Sequence, residues 1–264
     1  MNKAPLGLLI LALAGGSGCA GYQHQVHCPA LNSNQRGVIF CVDGAGGFLA
    51  TSQSLGREIE SARLPLAVMP AEWSHGWGRV FADQMDWRHA REEGCKLAGQ
   101  ILAYRQTFPA GKVYILAHSA GSATSLRAAE SLPPGSIDRI VLLAPSISSD
   151  YDLRPALRAV RESIEVFYSG CDMFQLGFGV VLLGTADGCR GCTASGRTGF
   201  QPVVESSEDA LLYGKLRQHP WSPCLAWTGN RGGHYGGYQP EFLKAFVIPL
   251  FDDRCTSGYG SGKL

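Results

Sequence analysis

Residues 113–121 of this 264-residue chain read VYILAHSAG. The first five are apolar without alternation, which predicts a strand buried on both faces. The alanine-rich segment from Ala120 to Leu132 follows at once and predicts a helix. Ser119 therefore lies at a sharp strand-to-helix turn, where its hydroxyl would project clear of the sheet. We interpret Ser119 as a nucleophile rather than as a simple cap of the helix.

Short apolar runs alternate with helical segments along the whole chain. Besides 113–117, the predicted strands are 38–42, 66–69, 140–144, 164–168 and 225–228. Apolar residues at helical spacing predict further helices over 97–108 and 242–251, and a short helix is predicted near 209–217. Alternation of this kind favours right-handed βαβ units. The expected fold class is α/β, a three-layer sandwich with a mostly parallel central sheet flanked by helices.

In this context the chain resembles the α/β-hydrolase family of serine esterases and lipases. The resemblance covers nearly all of residues 37–250, by strand order as well as by the motif around Ser119. Ala117 stands where the family more commonly has glycine, which is a mild departure because alanine is also small. The family implies a catalytic triad in the chain order serine, acid, histidine.

A serine hydroxyl needs a base that takes its proton, and an imidazole with a pKa of about 6.5 suits this at neutral pH. His234 lies in the glycine-rich segment 229–235, GNRGGHY, directly after the last predicted strand. The family places its histidine in that loop. His118 adjoins the serine but is expected to point elsewhere, so His234 is the predicted base.

The predicted acid would orient the imidazole and stabilise its cation. Asp172 follows the predicted strand 164–168 by a short turn, which is where the family places its acid. Asp187 is the second candidate. Asp150 and Asp152 come third, because some lipase-like members use the site after the preceding strand.

An oxyanion hole needs two backbone N–H groups aimed at the developing negative charge. One should be the amide of Ala120, and the other should come from the loop 43–48, DGAGGF, after the first predicted strand. We expect the region of Gly44 and Ala45 to provide it. The loop lacks the spacing of a dinucleotide-binding motif. Three aromatic side chains are candidates for an apolar acyl pocket, namely Phe48, Trp73 and Trp77.

The composition limits the class of protein. Charged residues make up 17% of the chain and its formal net charge is +1. These values exclude a largely disordered chain and argue against a general nucleic-acid binder. With no linker or repeat visible, we expect one domain over 37–255, in which 173–223 forms a lid or pocket excursion, followed by a flexible C-terminus over 256–264.

Residues 1–19 have the pattern of a secretory signal peptide, with a short basic start, an apolar run and small residues. Their end, Ser17-Gly18-Cys19, also resembles the lipobox of bacterial lipoproteins, although Gly16 departs from the usual leucine. The pattern predicts an exported protein, anchored to a membrane by lipid on Cys19, with a tail over 20–36. The alternative is ordinary cleavage nearby and a freely soluble periplasmic or secreted product.

The chain has nine cysteines, so eight remain if Cys19 is lipidated. An even number in an exported chain favours disulfides. Cys189 and Cys192 have CxxC spacing, and without a second such pair or paired histidines a loop disulfide is favoured over a zinc site.

The residues and the resemblance together predict a serine hydrolase that cleaves a small-molecule or lipid ester through an acyl-enzyme. No metal or organic cofactor is implied. One alternative is a serine peptidase or acyltransferase that uses the same triad. A third hypothesis belongs to another class, a catalytically silent surface lipoprotein that uses this scaffold to bind a partner.

Overall fold

The computed structural model describes residues 35–173, 176 and 183–252. The predicted signal peptide, the lipidation site at Cys19, most of the tail 20–36 and the predicted C-terminus 256–264 lie outside the described residues. The interpretation of these segments stays a prediction.

Six parallel strands form one sheet, in the spatial order β2-β1-β3-β4-β5-β6. Every residue of β1 and of β4 is buried. A strand covered on both faces needs apolar side chains on both, which explains the unbroken apolar runs. The strands are β1 Gly37–Val42, β2 Leu66–Pro70, β3 Lys112–His118, β4 Ile137–Leu143, β5 Val160–Tyr168 and β6 Leu216–Pro220.

Helices cover both faces of this sheet. The core on one face joins alternate strand residues to α3, α4 and α5, and the core on the other face joins the remaining ones to α1 and the C-terminal helical segment. The predicted three-layer α/β sandwich is therefore confirmed. The helices are α1 Ala50–Ser61, α2 Val80–Met85, α3 Trp87–Thr107, α4 Gly121–Glu130, α5 Arg154–Ala159, α6 Ser195–Thr198 and α7 Ser207–Tyr213; the C-terminal segment comprises Pro240–Phe242, Leu243–Val247 and Ile248–Phe251. Among the described helices, none combines the length and apolarity needed to cross a membrane.

The sixth strand is not where the sequence predicts it. The predicted strand 225–228 is part of a 3-10 helix, Pro223–Thr228, whereas β6 runs through Leu216–Pro220. The sequence of β6, LRQHP, is polar because it is an edge strand that pairs only with β5. Part of the region 173–223 thus belongs to the central sheet.

The parallel arrangement decides where function can lie. The carboxyl ends of parallel strands meet at one edge of the sheet, and ligands of open α/β sheets bind there. The loops after β1, β3 and β5 begin at this edge, and they carry Gly44, Ser119 and Asp172.

Candidate active site

The turn after β3 holds Ser119 in a strained conformation. Its φ is +52°, a value that residues other than glycine seldom adopt. The Ser119 N–H donates to the carbonyl oxygen of Leu143 at 3.0 Å. A Cβ at Gly121 would lie 2.5 Å from the carbonyl oxygen of Val42 and closer still to that of Asp43, so only glycine fits where α4 begins. These contacts hold the hydroxyl at the carboxyl edge of the sheet.

Three side chains that are far apart in the sequence form one hydrogen-bonded chain. Ser119 Oγ lies 2.8 Å from His234 Nε2, and His234 Nδ1 lies 2.6 Å from Asp172 Oδ2. All three residues are buried. A carboxylate only accepts, so Nδ1 carries the hydrogen and Nε2 is left to accept from the serine hydroxyl. The structure therefore brings these three predicted site residues together in bonding order.

The other candidate acids lie elsewhere and are engaged otherwise. The Asp187 carboxylate accepts from the amide of Ser148 at 3.0 Å and also from the Ser148 hydroxyl. Asp152 forms an ion pair with Arg154, with 2.9 Å between Oδ1 and Nε. Asp150 is exposed. Of these four candidate acids, only Asp172 hydrogen-bonds to the His234 ring in the described part of the chain.

The loop that carries His234 is held by contacts that sequence reasoning missed. His118 Nε2 lies 3.0 Å from the carbonyl oxygen of His234, and because a carbonyl only accepts, Nε2 is the donor. Burial, and to a smaller extent the nearby His234, lowers the pKa of His118 to about 3. His118 is therefore neutral, and its ring donates to the backbone of the histidine loop. The sequence places His118 at the end of a buried strand, which indicates that its side chain is buried, but it does not show that the side chain contacts the His234 loop.

The amides predicted to form an oxyanion hole belong to Ala120 and to the loop that carries Gly44 and Ala45. A Cβ on Gly44 would lie 3.4 Å from Ser119 Cβ and 2.7 Å from His118 Nδ1, so the loop after β1 packs directly against the turn. Within the described residues, none of these three amides donates a hydrogen bond to the protein. Such amides are available to stabilise an oxyanion.

A cavity of about 390 Å³ opens onto Ser119 and His234. Its apolar wall includes Phe48, Leu49, Val80, Leu176, Leu183, Tyr235 and Tyr238. Burial first, then the nearby charges of Tyr235 and Asp43, raise the pKa of Tyr238 to about 12, which keeps its phenol neutral in this wall.

Of the three aromatic residues expected to form the pocket, only Phe48 lines it. Trp73 is buried elsewhere, where its Nε1 donates to the carbonyl oxygen of Asp43 at 2.8 Å. Trp77 is 82% exposed and contacts the edge of Phe48, with ring centroids 5.8 Å apart. The two tryptophans therefore support the loop and its rim rather than the cavity wall.

The described cysteines are partly disulfide-bonded and partly free thiols. Cys189 and Cys192 form the disulfide that their spacing predicts. Cys95 is also disulfide-bonded, whereas Cys41, Cys171 and Cys224 are free thiols. Among the described residues, no group of three or more His, Cys, Asp or Glu side chains is arranged to hold a metal ion.

Comparison with known proteins agrees with the fold. A family model described as the alpha/beta hydrolase fold matches residues 75–171, which include Ser119 and end one residue before Asp172. The parallel sheet, its helical layers and this match show that the chain has the α/β-hydrolase fold. No curated protein sequence matches the chain.

Several solved structures are similar at low identity. A Trichoderma reesei cutinase in complex with a phosphonate inhibitor is 18% identical over 63% of this chain and 75% of the cutinase, with a TM-score of 0.41. A lipase-esterase related protein from Clostridium acetobutylicum is 11% identical over 84% of this chain and 97% of its own, with a TM-score of 0.48. Pyrococcus horikoshii acylaminoacyl peptidase is 12% identical over 89% of this chain and 40% of its own, with a TM-score of 0.49.

Proposed function

We propose that the protein is a serine hydrolase that cleaves carboxylic esters through an acyl-enzyme. The observation that carries this proposal is the hydrogen-bonded chain from Asp172 through His234 to Ser119, on a strained turn at the edge of the sheet. A hydroxyl is a weak nucleophile unless a base accepts its proton, and His234 Nε2 lies in reach to do so. This arrangement has no evident purpose in a protein that only binds a partner.

In the first half of the reaction, Ser119 Oγ attacks the ester carbonyl carbon and its proton passes to His234 Nε2. The carbonyl oxygen becomes negative and is stabilised by the amide of Ala120 together with that of Gly44 or Ala45. The C–O bond to the alcohol then breaks, and His234 returns the proton to the leaving oxygen. Asp172 stabilises the imidazolium throughout.

In the second half, water replaces the alcohol. His234 takes a proton from the water, the resulting hydroxide attacks the acyl carbon, and the bond to Ser119 Oγ breaks. The serine oxygen regains its proton from His234 and the carboxylic acid leaves. The cycle consumes one water per ester.

We propose an ester with an apolar acyl group as the substrate. The cavity beside Ser119 has a volume of about 390 Å³ and a largely apolar wall, which favours a hydrocarbon chain over a charged or polyhydroxylated group. The wall continues outwards through exposed apolar side chains such as Phe48, Leu49 and Val80. Exposed apolar side chains that continue from a cavity onto the surface are typical of a binding site.

Covalent labelling tests the proposed nucleophile. A fluorophosphonate should label the wild-type protein at one site and abolish hydrolysis of a nitrophenyl butyrate, whereas Ser119→Ala should be neither labelled nor active. Ser122→Ala is the matched control, because Ser122 is the buried second residue of α4, three residues after Ser119, and its hydroxyl has no partner in the described part of the structure. Labelling that persists in Ser119→Ala, or a wild-type protein that is not labelled, would disprove the proposal.

We also propose export and lipidation at Cys19, on the strength of the sequence. The disulfide between Cys189 and Cys192 supports an oxidising compartment, since cytosolic thiols are usually kept reduced. The intact mass of protein from membranes should include acyl chains that are absent from Cys19→Ala. A mature product without added mass would support the soluble secreted alternative.

A further inference from the structure

Helix α2 exposes apolar side chains and buries polar ones, the reverse of the usual arrangement. Three of its apolar side chains, Val80, Phe81 and Met85, are exposed, while Asp83 and Gln84 are buried. A helix on the surface of a globular protein normally presents its apolar face to the core. The burial of a carboxylate is costly unless it is well hydrogen-bonded. The contacts of Asp83 should therefore explain why α2 lies as it does.

The Asp83 carboxylate joins two loops at the carboxyl edge of the sheet. Oδ2 accepts from the amide of Gly46 at 2.7 Å and from the Ser74 hydroxyl at 2.6 Å. Oδ1 accepts from the amide of His75 at 2.8 Å, and His75 Nδ1 lies 2.8 Å from the same oxygen. Burial opposes ionisation of Asp83, but hydrogen bonds from Ser74, Gly46 and His75 outweigh it and hold the pKa of the carboxyl below its usual value. The group is thus a buried carboxylate with four donors.

One of these donors belongs to the loop that faces the nucleophile. Gly46 follows Gly44 and Ala45 directly, and its φ of +97° makes the loop turn back at this point. Its carbonyl oxygen also accepts from the amide of Gly78 at 2.8 Å. The Gly46 amide is therefore occupied by Asp83, while the amides of Gly44 and Ala45 remain available to a substrate oxygen.

We propose that Asp83 is a positioning residue that fixes the oxyanion-binding amides of the loop after β1. The inference rests on the proposed function and names a residue that does not touch the substrate. Asp83 acts through Gly46: one charge-assisted hydrogen bond to the loop after β1 and three to the loop after β2 prevent the peptide units at 44–46 from rotating away from the serine. Displacement of a catalytic group by about 1 Å can cost on the order of 100-fold in rate.

Substitution of the carboxylate by an amide provides the test. In Asp83→Asn, an NH₂ group replaces one of the two carboxylate oxygens. The N–H and O–H groups that donate to that oxygen in the wild type then have no acceptor. We expect kcat for nitrophenyl butyrate to fall by up to about 100- to 1000-fold, the range for loss of one oxyanion donor, with KM nearly unchanged. The inhibition constant of butylboronic acid, which forms a tetrahedral anion on the serine, should rise by the same factor as kcat/KM falls.

Asp86→Asn is the matched control. It removes the same charge three residues away, from a side chain that caps α3 by accepting from the amide of His89. Asp86 Oδ2 also lies 3.4 Å from His75 Nε2, but among the described residues its carboxylate makes no hydrogen bond to the loop after β1. Its kcat per active site, counted by fluorophosphonate titration, should remain within about twofold of wild type. A merely structural role for Asp83 would lower the number of titrated sites and leave kcat per site and boronate affinity unchanged.

Ser74→Ala keeps the test decisive if Asp83→Asn does not fold. It removes one donor from Oδ2 and leaves the Gly46 bond, so we expect a smaller loss in kcat of about two- to tenfold, again matched by the boronate. Wild-type kcat and boronate affinity in every folded variant would overturn this inference while leaving ester hydrolysis intact. A wild-type enzyme that hydrolyses no ester would instead overturn the proposed function.

Discussion

The carboxylates of Asp172 and Asp187 contact different residues, and this difference predicts very different kcat values for their asparagine variants. In Asp172→Asn the amide presents a donor or a weaker acceptor to His234 Nδ1, which favours the tautomer that cannot accept from Ser119. We expect kcat to fall by about 10³- to 10⁴-fold with little change in KM. Asp187→Asn should retain kcat per titrated site within a few-fold, because its partner is Ser148. Steady-state kinetics on both variants make the comparison, and equal losses would contradict the assignment of the acid.

The lowered pKa of His118 predicts that the folded protein is less stable at acidic pH. Its pKa is about 3 in the folded protein, where burial and then His234 disfavour the cation, whereas an unfolded histidine titrates at about 6.5. Between these values the unfolded chain binds one more proton, so stability is lost as the pH falls. Over pH 7.5 to 5 this amounts to about 2 kcal/mol.

The measurement is the free energy of unfolding in urea at pH 7.5 and at pH 5. His118→Gln removes the titrating group. The free energy of unfolding of this variant should therefore decrease between pH 7.5 and pH 5 by about 2 kcal/mol less than that of the wild type. Because the other histidines are common to both proteins, they cancel in the difference. An identical loss in both would mean that His118 is not held neutral.

Single residues also show which parts of the site can be predicted from the sequence alone. Ser119 and Asp172 follow β3 and β5 as the sequence predicts, and the expected chain order pointed to His234 although the strand predicted before it, 225–228, is part of a 3-10 helix. The roles of His118 and Asp83 could not be predicted, since their partners, His234 and Gly46, lie 116 and 37 residues away along the chain. Long-range polar contacts leave no local pattern.

At the scale of the element, the junction of β3 and α4 has no room for a side chain on Gly121. An added Cβ would overlap the carbonyl oxygens of Val42 and Asp43, so Gly121→Ala should destabilise the fold by about 1–3 kcal/mol. Activity per folded molecule should also fall, because α4 and the Ala120 amide would shift. Gly56→Ala in α1 is the control: a Cβ there meets nothing within 4 Å, and alanine favours helix by about 0.5–1 kcal/mol. Urea unfolding of the two variants should therefore change in opposite directions.

The strands show which elements a sequence reveals. β1, β3 and β4 lie inside the sheet, and burial on both faces leaves an apolar run with clear ends. β6 lies at the edge, where Arg217 and His219 flank the buried Glu165 of β5. Its polar sequence hid the strand, while the apolar residues of 225–228 suggested one that does not exist. Interior strands are therefore predictable and this edge strand was not.

At the scale of the whole molecule, exposed apolar side chains form a rim that begins at the cavity and extends along α2, where Phe81, Met85 and Trp87 line a separate surface pocket. Seven of them come from the loop after β1 and from the segment around α2: Phe48, Leu49, Trp77, Val80, Phe81, Met85 and Trp87. Phe48, Leu49 and Val80 also line the cavity, so the apolar surface continues from the site to the outside. A long acyl chain that leaves the cavity would cover this rim, whereas a short one would not reach it.

The double variant Trp77→Gln/Phe81→Gln tests this extension of the site. We expect kcat/KM for a dodecanoyl nitrophenyl ester to fall about tenfold, which corresponds to the loss of about 1.4 kcal/mol of apolar contact. The value for the butanoyl ester should change less than twofold, because a short chain stays beside Ser119. Leu211→Gln is the control, since Leu211 is 78% exposed but belongs to α7, outside this rim. Equal effects on both esters would mean that Trp77 and Phe81 support the loops of the site without contacting the acyl chain.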